Sequence, residues 1–149
     1  MPADSAETGA DTGHAAGWYS YAILRVVPRV DRGEFLNVGV ILFARTRRFL
    51  EARLAFDEDR LRAIAPEIDL PMVRRHLAAV QAICAGSADG GPIAALALSE
   101  RFHQLTAPTS TVIQASAVHA GYTSDPAATL EELLDAFVRP PPRPGGAPL

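Results

Sequence analysis

The sequence predicts an α+β fold: an antiparallel three-strand meander plus a fourth, later strand, with helices packed on one face. Three observations carry this. Three apolar runs rich in β-branched and aromatic residues follow one another over residues 19–56, with connections too short for a parallel crossover. From Asp57 onward the apolar residues recur at three- and four-residue spacing, the period of a helix. One more β-branched run, Thr111 to Ala120, stands alone among the helical stretches.

In chain order, residues 1–17 are small, polar and acidic with three glycines, and are expected to form a disordered tail. The ordered domain spans 18–138. Its first strand, Tyr19 to Val27, stops at Pro28, and the polar break Val30-Asp-Arg-Gly33 follows. Phe35 to Ala44 is the second strand, Arg45-Thr-Arg-Arg48 a turn, and Phe49 to Phe56 the third strand. Hairpins centred near Asp31 and Thr46 set Val26 against Leu36, Leu24 against Val38, Val40 against Ala52 and Val38 against Leu54. That register gives one wholly apolar face, with Ala22, Leu24, Val26, Leu36, Val38, Val40, Leu42, Leu50, Ala52, Leu54 and Phe56.

Asp57 starts a short helix that ends near Pro66. Asp69 is the expected N-cap of a longer helix to about Ala85, with Pro71 in its first turn and Gly86 closing it. A loop over Ser87 to Pro92 precedes a short helix, capped by Ser99, that carries Phe102 and Leu105 and stops at Pro108. Asp125-Pro126 opens an amphipathic helix with Leu130, Leu133, Leu134 and Phe137. The proline-rich stretch 139–149 cannot continue it and is expected to be an extended tail.

Composition narrows the function classes. At 149 residues the chain fits one domain. Its single cysteine, Cys84, makes no internal disulfide, and no secretory signal or membrane-length apolar run is present, so the expected compartment is the cytoplasm. All fourteen basic residues are arginine. The absence of lysine removes P-loop, Schiff-base and Ser-Lys chemistry together. A net charge of −3 argues against a bulk polyanion-binding surface.

The second face of the meander is mixed. It carries Tyr19, Tyr21, Ile23, Arg25 and Val27, then Phe35, Asn37, Gly39, Ile41 and Phe43, then Phe49, Glu51, Arg53 and Ala55. The same register sets Arg25 opposite Asn37 and Arg53 opposite Gly39, so two guanidinium groups and an amide would flank a hollow at the glycine. Arginine forks suit carboxylates and phosphates, and a small anionic ligand would fit there. The ordinary alternative is a set of cross-strand polar pairs, with Glu51 neutralising Arg53 and Gly39 marking a bulge.

Ser116, His119 and Asp125 hold the letters of a hydrolase triad, but positions 116 and 119 of one strand point to opposite faces, and no G-x-S-x-G elbow exists. Asp125 is explained by capping, and His119 by either acid–base work or burial with a hydrogen bond. Cys84 lies on the apolar stripe of its helix and reads as core. His14, His76 and His103 are scattered without zinc-ligand spacing, so no metal and no cofactor are expected. Seven arginines against Asp31, Glu34 and Glu51 over residues 18–55 leave a weak nucleic-acid signal, since arginine-rich turns are often simply solvated.

Taken together, Tyr19-Ser-Tyr-Ala-Ile-Leu-Arg25-Val-Val-Pro28 and Gly33-Glu-Phe-Leu-Asn37-Val-Gly39-Val-Ile-Leu42 resemble the opening of the bacterial domain-of-unknown-function 3037 family. Glu100-Arg-Phe102, Ser110-Thr111, Gln114-Ala-Ser116, Val118-His119-Ala-Gly121, Thr123 and Asp125-Pro126 resemble its closing part. The resemblance transfers no activity and no catalytic residue; it implies a small bacterial protein and points at Arg25, Asn37, Gly39, Gln114 and His119. The reading is a non-catalytic accessory or binding module acting through another protein, without membrane or nucleic-acid partners. The alternative is an anion-binding sensor or enzyme using Arg25, Asn37, Gly39 and Arg53, with Gln114 and His119 joining if the fourth strand pairs beside the first.

Overall fold

The structure is a computed structural model and describes residues 15–141. The tails expected over 1–17 and 139–149 fall outside it except for 15–17 and 139–141.

The meander forms where the apolar runs lie. Strand β1 is Gly17–Val26, β2 Leu36–Ala44 and β3 Phe49–Leu54, joined by single 3-10 turns at Val30–Arg32 and Arg45–Arg47. The lone later run forms two short strands, β4 (Ile113–Ala115) and β5 (His119–Thr123), which pair antiparallel with the two ends of β1. The strand order is β3-β2-β1-β4, with β5 also on β1. The fold is therefore α+β with an antiparallel sheet, as the hydrophobic patterning predicts.

Among the described residues four α-helices complete it: α1 (Glu58–Ile64), α2 (Leu70–Ala85), α3 (Leu98–Thr106) and α4 (Pro126–Phe137). The carboxylates of Asp57, Asp69 and Asp125 accept from the backbone N–H of Arg60, Met72 and Ala128 at 3.0–3.1 Å, capping α1, α2 and α4. At α3 the N-cap is Ala97 rather than Ser99. Glu100 reaches back to accept from the Ala97 N–H at 3.3 Å, so the carboxylate of the third helical residue substitutes for a capping hydroxyl. The stretch expected as a loop folds into 3-10 turns over Ala88–Ala95.

The expected register holds only at the base of the first hairpin. Arg25 pairs with Asn37 and Val26 with Leu36; the ladder then shifts, and Leu24 pairs with Gly39, Ile23 with Val40 and Ala22 with Ile41. One extra residue, Val38, is taken up as a bulge, and past it every side chain of β2 changes face. The pairing with β3 moves by one as well: Val40 faces Arg53 and Gly39 faces Leu54.

Two cores result in place of one. Ala22, Leu24, Val26, Leu36, Val38, Ile41, Phe43, Leu50 and Ala52 pack under α1, α2 and α3 through Leu61, Val73, Leu77 and Phe102. Val40, Leu42 and Ala44 turn to the other side and meet Leu130, Leu134 and Val138 of the α4 region, with Tyr19, Tyr21 and Phe49 at the margin. The helices thus lie on both faces of the sheet, a correction to the one-face expectation. The physical reason is the bulge, which leaves three buried aliphatic side chains on the second face that only a helix can cover.

Candidate functional site

β1 is the centre of the site because it pairs with β2 on one side and with β4 and β5 on the other. The register sets Arg25 between Asn37 on β2 and Gln114 on β4, a polar row of three side chains across three strands. The Arg25 guanidinium carbon lies 4.1 Å from the centroid of the Phe35 ring, a cation–π contact with an exposed aromatic. Asn37 Nδ2 donates to the Phe137 carbonyl at 3.0 Å, which ties the C-terminal end of α4 to the row. That bond also fixes the amide orientation, leaving Oδ1 as an acceptor.

Arg25 Nε and Asn37 Oδ1 are both shielded from solvent and have no hydrogen-bond partner among the described residues. One is a donor and the other an acceptor, and they belong to directly paired residues. Leaving such a group without a partner carries a desolvation cost of about 1–3 kcal/mol. Gln114 Nε2 donates to the Thr111 carbonyl at 2.9 Å, holding its side chain along the β4 edge. No carboxylate among the described residues pairs with Arg25.

Beside the row, His119 of β5 pairs with Tyr21 of β1, and their rings lie 5.4 Å apart. Tyr21 in turn stacks on Phe137 at 6.3 Å and 20°. Next along β5, Gly121 leaves room for the Tyr19 ring; a Cβ there would sit 2.4 Å from it. Burial holds the Tyr19 hydroxyl above its usual range, with Tyr21 adding to the effect. Arg25, Asn37, Gln114 and His119 therefore share one side of the sheet, flanked by Phe35, Tyr21 and Phe137.

The structure separates the other two expected residues from this group. Arg53 is on the same side but neutralised: it donates to Glu51 Oε2 from Nη2 at 2.7 Å and from Nε at 3.1 Å, and to Glu131 Oε1 at 2.8 Å. Glu131 is shared with Arg139, which also bonds Asp135 at 2.5 Å. The Arg53 guanidinium and then Arg139 hold the Glu131 carboxyl below the usual carboxylate range. Arg53 thus ties α4 to β3 and is not available to a ligand. Gly39 is on the core side, where its absent side chain admits Leu54; a Cβ would lie 2.6 Å from Leu54 Cδ2 and 2.8 Å from the Arg53 carbonyl oxygen. The hollow expected between two arginines is a packing contact, because the bulge turned the glycine over.

Ser116 has a clear structural task. It falls in the break between β4 and β5, where its hydroxyl accepts from the Ile23 N–H at 2.8 Å and donates to the Ala117 carbonyl at 2.9 Å. Its own N–H donates to the Ile23 carbonyl at 2.8 Å, so one buried serine bridges the gap in the ladder. With Asp125 capping α4 and His119 against Tyr21, the three triad letters are each placed elsewhere. Burial pushes the Cys84 thiol up to about 12, far from a thiolate nucleophile at neutral pH.

The basic turns are partly spent on the fold. Arg32 pairs with Glu34 at 3.0 Å, Arg29 with Glu67 at 3.8 Å, and Arg47 donates to the Ala15 and Ser124 carbonyls. Among the described residues no group of three or more His, Cys, Asp or Glu side chains is placed to hold a metal. None of their helices is long and apolar enough to cross a membrane.

Sequence reasoning placed Phe35 on the face of Arg25 but missed Phe137. Phe137 was legible as apolar, but its place against Asn37 and Tyr21 depends on α4 taking the second face. The comparisons with curated proteins and with solved structures found no match. One family model does match, over residues 21–138, which takes in all of the meander past the start of β1, the β4–β5 segment and α4. The chain belongs to the family described as "Protein of unknown function (DUF3037)".

Proposed function

We propose that this chain is a non-catalytic binding module of a bacterial cytoplasm, and that its Arg25 row receives a carboxylate on an acidic segment of a partner protein. The observation that supports this most is the contrast between two half-buried arginines on one side of the sheet. Arg53 is matched by two carboxylates, whereas Arg25 has none among the described residues and rests on exposed Phe35. An arginine resting on an exposed aromatic ring, with amides on either side, is the composition that concentrates binding energy at protein interfaces. The planar fork suits a carboxylate in two-bond geometry, and Gln114 adds an adjustable amide at the edge. The engagement of Ser116 and the burial of Cys84 favour binding over nucleophilic chemistry.

Isothermal titration with a short glutamate-rich peptide tests the reading, with acetate and inorganic phosphate as small-anion arms and a lysine-rich peptide as control. Arg25→Gln is expected to weaken the acidic peptide at least about tenfold, the worth of a charged hydrogen bond. Arg45→Gln, at an exposed turn, is expected to leave affinity unchanged within about twofold. Equal binding by the wild-type and Arg25→Gln proteins would sink the reading. Tight binding of acetate or phosphate alone would favour the small-ligand alternative.

A further inference from the structure

The two edges of the sheet differ sharply. The β3 edge is charged, through Glu51 and Arg53, and is covered by α2, whose Gln81 Nε2 donates to the Ala52 carbonyl at 3.4 Å. The β4–β5 edge has neither protection. From Ser110 to Ser124 there is no Asp, Glu, Lys or Arg. Three of the large exposed apolar side chains collect beside β5: Trp18 at 69%, Tyr122 at 59% and Val118 at 47% exposure, with the Trp18 and Tyr122 rings 5.0 Å apart edge to face. Natural edge strands are usually blunted by charge, proline or a covering element, because their outward N–H and C=O groups recruit another strand.

We infer that β5 is a dimerisation edge, on which two copies of this chain pair antiparallel about a two-fold axis through Gly121. The sequence of β5 is self-complementary in that arrangement. Gly121 meets the partner's Gly121, Ala120 meets the partner's Tyr122 and His119 meets the partner's Thr123. Large side chains are thus set against small ones, and no like charges face each other. Two chains of net charge −3 meet along a border that carries no Asp, Glu, Lys or Arg. The exposed parts of Trp18, Tyr122 and Val118 on both copies, with the strand backbone, amount to on the order of 1,000 Å². That area lies at the lower limit for a specific interface, so the dimer should be concentration-dependent, with dissociation in the micromolar range.

Analytical ultracentrifugation of the full chain over a concentration series tests this. The wild type should pass from monomer to dimer as concentration rises. The double variant Ala120→Lys/Tyr122→Lys should stay monomeric, as should Ala120→Glu/Tyr122→Glu, each melting within a few degrees of the wild-type monomer because both positions are exposed. Mixing the two variants should restore a dimer, since opposite charges then face each other across the axis. A wild type that stays monomeric throughout overturns the inference. So does a dimer that persists in the lysine variant, because it must use another surface.

Discussion

Leu134→Ala is expected to destabilise the domain by about 2–5 kcal/mol, the usual cost of cutting a buried leucine to alanine. Leu134 is fully buried, with Leu130 and Val138, against Val40, Leu42 and Ala44, which the bulge turned to the second face. This small core has few atoms available to collapse into the space, which favours the upper half of the range. Urea unfolding should show a lower midpoint at an unchanged slope. The loss should also reach the functional row, because α4 carries the Phe137 carbonyl that holds Asn37 and the Phe137 ring that stacks on Tyr21. A loss below about 1 kcal/mol would mean that α4 does not close the second face.

Gly39→Ala should cost about 2–3 kcal/mol and lower the melting temperature by about 10 °C. The added methyl meets Leu54 Cδ2 at 2.6 Å, which a rotamer change can relieve, and the Arg53 carbonyl oxygen at 2.8 Å, which it cannot. Pairing the substitution with Leu54→Ala separates the two contacts. The backbone contact survives, so the double variant should remain well below Leu54→Ala alone. If instead Gly39→Ala melts like the wild type, the bulge at Val38 and the core-side placement of the glycine are both wrong.

The bulge also marks where the sequence stops being readable. Up to Val38 the alternation is unambiguous, and Arg25 opposite Asn37 follows from it. Beyond, Val40 and Leu42 are as apolar as Ile41 and Phe43, so no pattern says which pair faces which side. A run that is apolar at both parities is itself the signature of a strand covered on both faces. That signal was present, and it pointed to a second layer of helix. The α4 stripe of Leu130, Leu133 and Leu134 was equally legible, but a stripe does not name the face it will cover.

For the site, the local parts were legible and the long-range ones were not. Glu51 beside Arg53 is two residues away, whereas Glu131 arrives from α4 and completes its neutralisation. The break between β4 and β5 leaves no mark in Ala-Ser-Ala-Val, because only the buried hydroxyl of Ser116 betrays it. Gln114 and His119 could be tied to Arg25 only on the condition that the fourth strand joined β1, and it does.

The most direct measurement is amide and arginine side-chain NMR of the wild-type chain during titration with the glutamate-rich peptide. The expected result is a shift of the Arg25 Nε–H signal together with the amides of Asn37, residues 113–115 and Phe137, while residues 45–48 stay still. Perturbation confined to the Arg45–Arg48 turn, or none in the Arg25 row, would contradict the placement of the binding face on β1.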